Sequence, residues 1–216
     1  MKKNYSLLFF LCVIGLYSCQ KKIERTETDS VIAGELNQSL NGPGAVNVYV
    51  AGEEFNGSNF VAKYWKNGHP MALSDGLNGA FTGDIFISGQ DVYVAGDEVI
   101  GSRDFAKYWK NGHPVVLSDG SKDAYAQSIF VSGPDVYVAG TETNSGGRGV
   151  AKYWKNGHPV VLSSKSAQAN SIFVSGQDVY VAGADGNTAK YWKNGKPVVL
   201  SNGLMPAYAG SVFISK

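Results

Sequence analysis

The chain has 216 residues and a formal net charge of +1; 44% of it is hydrophobic, 12% aromatic and 17% charged. That balance excludes a disordered polyelectrolyte and leaves no basic footprint for nucleic acid or an anionic membrane surface. The 27 glycines are nearly twice the usual share of ~7%, without a collagen period, and imply many turns.

Residues 1–18 read as an export signal. Met1-Lys2-Lys3 is basic, Leu7 to Tyr17 is an apolar run of eleven, and Ser18 is small. The run is too short to span a bilayer as a helix. Leu16-Tyr17-Ser18-Cys19 resembles the lipobox of bacterial lipoproteins. The resemblance implies lipidation of Cys19 as the first mature residue, and anchoring at the cell envelope, at the outer membrane. Cys12 would leave with the signal, so no internal disulfide is available. Loss of Lys2 and Lys3 takes the net charge from +1 to −1.

Residues 19–45 are polar and aperiodic and contain the breaker cluster Asn41-Gly42-Pro43-Gly44. They read as a flexible tether with an r.m.s. span of roughly 25–30 Å, enough to hold a domain clear of a membrane surface.

Residues 46–216 hold four copies of one unit. Val-Tyr-Val-Ala-Gly begins at 48, 92, 136 and 179, and Ala-Lys-Tyr-Trp-Lys-Asn-Gly at 62, 106, 151 and 189. A period near 44 with four short apolar runs per copy is that of propeller blades, and no run shows the 3.6 period of a helix. In the second copy, strand A is Asp84 to Ser88, strand B Val92 to Gly96, strand C Phe105 to Lys110 and strand D Val115 to Ser118. Asn111-Gly112 between C and D fits a type I′ turn, because both positions need φ > 0. His113-Pro114 opens D, where an outer strand tolerates proline. Tyr108 and Trp109 point to opposite faces, so each packs on a different sheet, as do Tyr64 and Trp65, Tyr153 and Trp154, and Tyr191 and Trp192.

The first copy begins at strand B, and the last is followed by a lone strand A, Ser211 to Ser215. The expected architecture is therefore an all-β, four-bladed propeller of four-stranded antiparallel blades, its ring closed by the C-terminal strand. A monomer is favoured; the alternative is a half-ring that dimerises into a larger one. The unit resembles the β-propeller repeats of exported bacterial proteins, with blades of the form VYVAG…YWKNG. That resemblance implies fold and not activity, because propellers host binding modules, scaffolds and hydrolases alike.

In such a blade the B–C loops and D–A segments share one face, around the channel mouth. Phe81, Tyr125 and Tyr208 occupy one D–A position, with Gln168 in the remaining copy; Gln127 and Asn170 lie two residues after Tyr125 and Gln168. Ringed at the mouth, they form an aromatic cup with amides, suited to a sugar or peptide ligand. His69, His113 and His158 are also equivalent but fall on the outer strands of different blades, too far apart for a metal. No metal or other cofactor is expected. Nucleophile elbows, zinc-protease helices and phosphate loops are absent from the sequence. The expected role is a non-enzymatic binding or scaffold module for a glycan or protein partner. The alternative is a hydrolase or lyase with its site at the mouth.

Overall fold

The computed structural model of the chain describes residues 46–215, which belong to one compact unit. The export signal, Cys19 and the tether lie outside the described residues. The unit is all-β, with fifteen strands in four antiparallel sheets and no helix among the described residues. The first sheet is β1 (Tyr49–Phe55), β2 (Phe60–Lys66) and β3 (His69–Ala72). The second is β4 (Ala80–Ser88), β5 (Asp91–Ile100), β6 (Arg103–Lys110) and β7 (His113–Val116). The third is β8 (Ala124–Ser132), β9 (Asp135–Thr143), β10 (Gly149–Lys155) and β11 (His158–Ser163). The fourth is β12 (Ala167–Ser175), β13 (Asp178–Asp185), β14 (Thr188–Lys193) and β15 (Lys196–Val199). Each is a simple meander, with strands neighbouring in sequence order.

Local chemistry explains the meanders. Asn67, Asn111, Asn156 and Asn194 all adopt φ near +50°, and the glycine after each is also positive, the geometry of a two-residue I′ hairpin. The asparagine also works as a clasp. Its Oδ1 accepts from the backbone N–H of Val48, Val92, Val136 or Val179 at 2.8–2.9 Å. Only a short amide side chain combines that reach with tolerance of positive φ. The Gly of each Val-Tyr-Val-Ala-Gly has a different cause. The first strands of the last three sheets, β4, β8 and β12 (the inner strands of the expected blades), bulge at Gly83, Gln127 and Asn170. A Cβ at Gly96, Gly140 or Gly183 would stand 2.0 Å from the carbonyl oxygen of Phe81, Tyr125 or Gln168.

The core lies between sheets, and its three junctions repeat. Trp109 packs with Tyr64, Ala62 and Leu73 of the first sheet. Trp154 packs with Tyr93, Ala106 and Leu117 of the second. Trp192 packs with Tyr137, Ala139 and Ala151 of the third. The second, third and fourth sheets thus turn their tryptophan faces to the sheet before them, and the first three turn their tyrosine faces to the sheet after them. The three tryptophans are 1% exposed.

Adjacent inner strands are also tied edge to edge. Asp84 Oδ2 accepts from Ile129 N–H at 3.0 Å, Ser128 Oγ from Ile172 N–H at 3.3 Å, and Ser171 Oγ from Val212 N–H at 3.2 Å. Phe86, Phe130, Phe173 and Phe213 follow the same order as a ladder of rings with centroids 4.8, 4.8 and 5.1 Å apart.

The first sheet departs from the expected four strands. Residues 211–215 do not pair with β1, and the first sheet has three strands. The serine tie to Val212 and the stacking of Phe213 on Phe173 instead hold this segment beside β12, at the far end of the row of sheets.

Candidate functional site

One repeat position on each sheet decides what sits at the B–C end of the next junction. The residue two before each Ala-Lys-Tyr-Trp is Phe60, Asp104, Gly149 or Asn187. Its counterpart on the following inner strand or segment is Phe81, Tyr125, Gln168 or Tyr208. At the first junction the two rings pack at 5.6 Å. At the second the Tyr125 hydroxyl donates to Asp104 Oδ2 at 2.9 Å. At the third, Gly149 stands opposite Gln168, a Cβ there would come within 2.6 Å of the Ala167 carbonyl oxygen, and a cleft of about 680 Å³ lies beside this position.

The cleft runs on to the fourth position. Its lining includes Thr141, Arg148, Gly149, Ser166, Gln168, Asn187 and Tyr208. It thus joins the β9–β10 and β13–β14 connections to the entry of β12 and the C-terminal segment. Arg148 is set by its loop. Asn144 Oδ1 accepts from Gly146 N–H at 2.9 Å and Arg148 N–H at 3.1 Å, and Asn144 N–H donates to the Arg148 carbonyl at 2.8 Å. Such an asparagine-closed loop fixes the backbone of a residue whose side chain reaches into solvent. The guanidinium forms no ion pair among the described residues, whereas Arg103 pairs with Asp123.

Tyr208 is also positioned from below. Ala207 N–H donates to the Asn187 carbonyl and Ala209 N–H to the Gly183 carbonyl, both at 3.1 Å. Asn170 Nδ2 donates to the Ala209 carbonyl at 3.0 Å. The phenol ring is left 62% exposed, one face available to a flat apolar partner.

The six residues expected to form a cup therefore separate. Gln168 and Tyr208 meet in the cleft. Asn170 holds the segment that carries Tyr208. Phe81 and Tyr125 are each engaged by the sheet before them, and Gln127 stands exposed at the β8 bulge. Arg148, Thr141 and Asn187 were not among the six; they lie in the B–C loops, whose variation between copies points to recognition. The signal was present in Gly149, which stands where other copies carry Phe60 and Asp104.

A second polar cluster lies at the other end of the row. Burial pushes the Asp97 carboxyl up to about 7, with the Asp104 and Glu53 carboxylates adding to the rise and Lys107 opposing it. Burial and the bond to Asp104 push the Tyr125 phenol up to about 12. None of these groups lines the cleft. His69, His113 and His158 begin β3, β7 and β11, on three different sheets. No cluster of three metal-ligating side chains occurs among the described residues. The chain matches no protein-family model and no curated protein in sequence.

Proposed function

We propose that the four sheets are blades of a β-propeller and that the protein is a lipid-anchored, non-enzymatic binding module of the cell envelope, with a saccharide as its ligand. The observation that carries this reading is the makeup of the cleft. It combines an exposed phenol ring, two amides, two hydroxyls and one guanidinium. An aromatic face suits the apolar face of a pyranose, and amides and hydroxyls suit its directional hydroxyls. Arg148 suits a carboxylate or phosphate substituent on the sugar. The cleft lining holds no carboxylate and no histidine, so it lacks the acid–base pair that hydrolysis or elimination would need.

Three repeated features support the propeller reading: first strands tied in sequence, phenylalanines stacked along them, and last strands begun by proline-containing pairs. On this reading Cys19 is the lipidation site through which the chain is anchored. A glycan array probed with the purified protein tests the ligand class. Binding concentrated on acidic glycans is expected, weakened at least tenfold by Arg148→Ala and by Tyr208→Ala. Binding that both variants leave unchanged would place the ligand elsewhere, and a blank array would remove the saccharide reading.

A further inference from the structure

Among the described residues, the two ends of the row of sheets are complementary and neither is covered by a further sheet; the 207–213 segment covers only part of the fourth sheet. On the first sheet the tryptophan face has no sheet before it. Val50 is 52% exposed, whereas its counterpart Val94 is fully buried, and Trp65 is only half-buried. On the fourth sheet the tyrosine face has no sheet after it. Leu200 is 56% exposed, whereas its counterpart Leu117 is 8% exposed. These are the two surfaces that meet at each of the three internal junctions. The backbone repeats the same mismatch. Among the described residues β1 has a partner on one side only, and 211–215, a fourth copy of the first-strand sequence, has no ladder. Exposed apolar faces and an open strand edge of this kind mark an interaction surface.

We infer that the occupant is a second copy of this chain, joined head to tail so that 211–215 of each copy completes the first sheet of the other. The inference rests on the propeller reading above. Closure within one chain would need one more junction like the three already formed, bringing the first and fourth sheets face to face. In the structure the two faces are not brought together: Val50 and Leu200 remain more than half exposed. The same junction made twice between two copies buries both faces and both edges, and closes the assembly without leaving a repeatable sticky end. The register follows from the three complete sheets. Ile85 lies opposite Val94, Ile129 opposite Val138 and Ile172 opposite Val181, which places Val212 opposite Val50. Asp84 Oδ1 now caps its own neighbour, Ile85 N–H, at 2.8 Å. By the repeat of the inner-strand ties, that N–H is the group the hydroxyl of an arriving Ser211 would meet.

The test is a disulfide trap in the full chain carrying Cys12→Ser and Cys19→Ser. Val50→Cys and Val212→Cys would be directly opposite, at a separation a disulfide spans. A non-reduced band at twice the chain mass is expected, and neither single-cysteine variant should give it. A monomer-mass band with both thiols consumed overturns the second copy and leaves a ring closed within one chain. Two free thiols overturn both the inference and the closed ring. Light scattering gives an independent reading in the unmutated chain. Twice the monomer mass is expected, falling to the monomer mass in Leu200→Glu with the far-ultraviolet spectrum unchanged; a monomeric unmutated chain overturns the inference.

Discussion

The first sheet and the second carry nearly the same words and end in different environments. Val48-Tyr49-Val50-Ala51-Gly52 repeats Val92-Tyr93-Val94-Ala95-Gly96, yet every residue of the second run is buried and none of the first is. Trp65 is half-buried where Trp109 is 1% exposed. The difference lies in what flanks each sheet. The second has a sheet before it and its own inner strand β4; the first has neither among the described residues. Burial is therefore a property of the neighbour as much as of the strand, and β-propensity reflects packing context rather than an intrinsic preference. The turn end shows a smaller version of the same contrast. Asp91 pairs with Lys110 and takes Asn111 Nδ2–H, and these two bonds hold its carboxyl below the usual range. At the equivalent place in the first copy stands Asn47, so Lys66 keeps only the place over the Tyr49 ring that Lys110 also has over Tyr93.

Substitutions at matched positions can break or sharpen this contrast. The largest effect is expected at the tryptophans. Trp154→Ala should cost about 3–5 kcal/mol by urea unfolding, because the cavity lies between two sheets. Trp65→Ala should cost less than half of that in a dilute, monomeric sample. If copies associate through the first sheet, its cost should rise with protein concentration.

Next comes the pH dependence of the second sheet. Burial holds the Asp97 carboxyl up to about 7 in the folded protein, well above the ordinary carboxylate value of 3.8. A raised folded value means the unfolded chain gives up its proton first. Stability from this group is full below about 4 and is lost as pH rises toward and through 7. Asp97→Asn should therefore leave stability at pH 4 nearly unchanged and raise it at pH 8, by about 2 kcal/mol after allowance for relaxation. Equal unfolding midpoints for the two proteins at pH 8 would contradict this.

A smaller effect belongs to the lysine–acid pairs that recur on strands B and C. Lys107 pairs with Glu98 in a nearly water-free place, whereas Lys63 pairs with Glu54 on a more open surface. Lys107→Met should cost about 1–2 kcal/mol by stranding a buried carboxylate, and Lys63→Met less than about 0.5 kcal/mol. The smallest difference is expected at the hairpin clasps. Asn111→Ala loses the bond to Val92 N–H and forces alanine into positive φ, at about 1 kcal/mol. Asn67→Ala loses the same bond on an exposed edge and should cost slightly less, a gap that paired thermal melts would resolve.

Much of the strand layout was legible in the sequence because its causes are local. The 44-residue period, the Asn-Gly hairpins and the opposed Tyr and Trp faces each follow from turn chemistry or strand alternation, which act within a few residues. Gln168 and Tyr208 were legible as a repeated surface position. Their separation from Phe81 and Tyr125 was not, because it depends on whether Phe60, Asp104, Gly149 or Asn187 faces each of them from the sheet before. That pairing joins residues about twenty apart across a junction, and the one copy with glycine at this position, Gly149, is the one whose junction carries the cleft. The same holds for the ends of the row. Sequence alone supplied a surplus inner strand and a sheet that lacks one. Where the surplus strand sits was decided by tertiary contacts, the serine tie to Val212 and the ring of Phe173, because edge pairing is set by which surfaces come within reach and not by strand propensity.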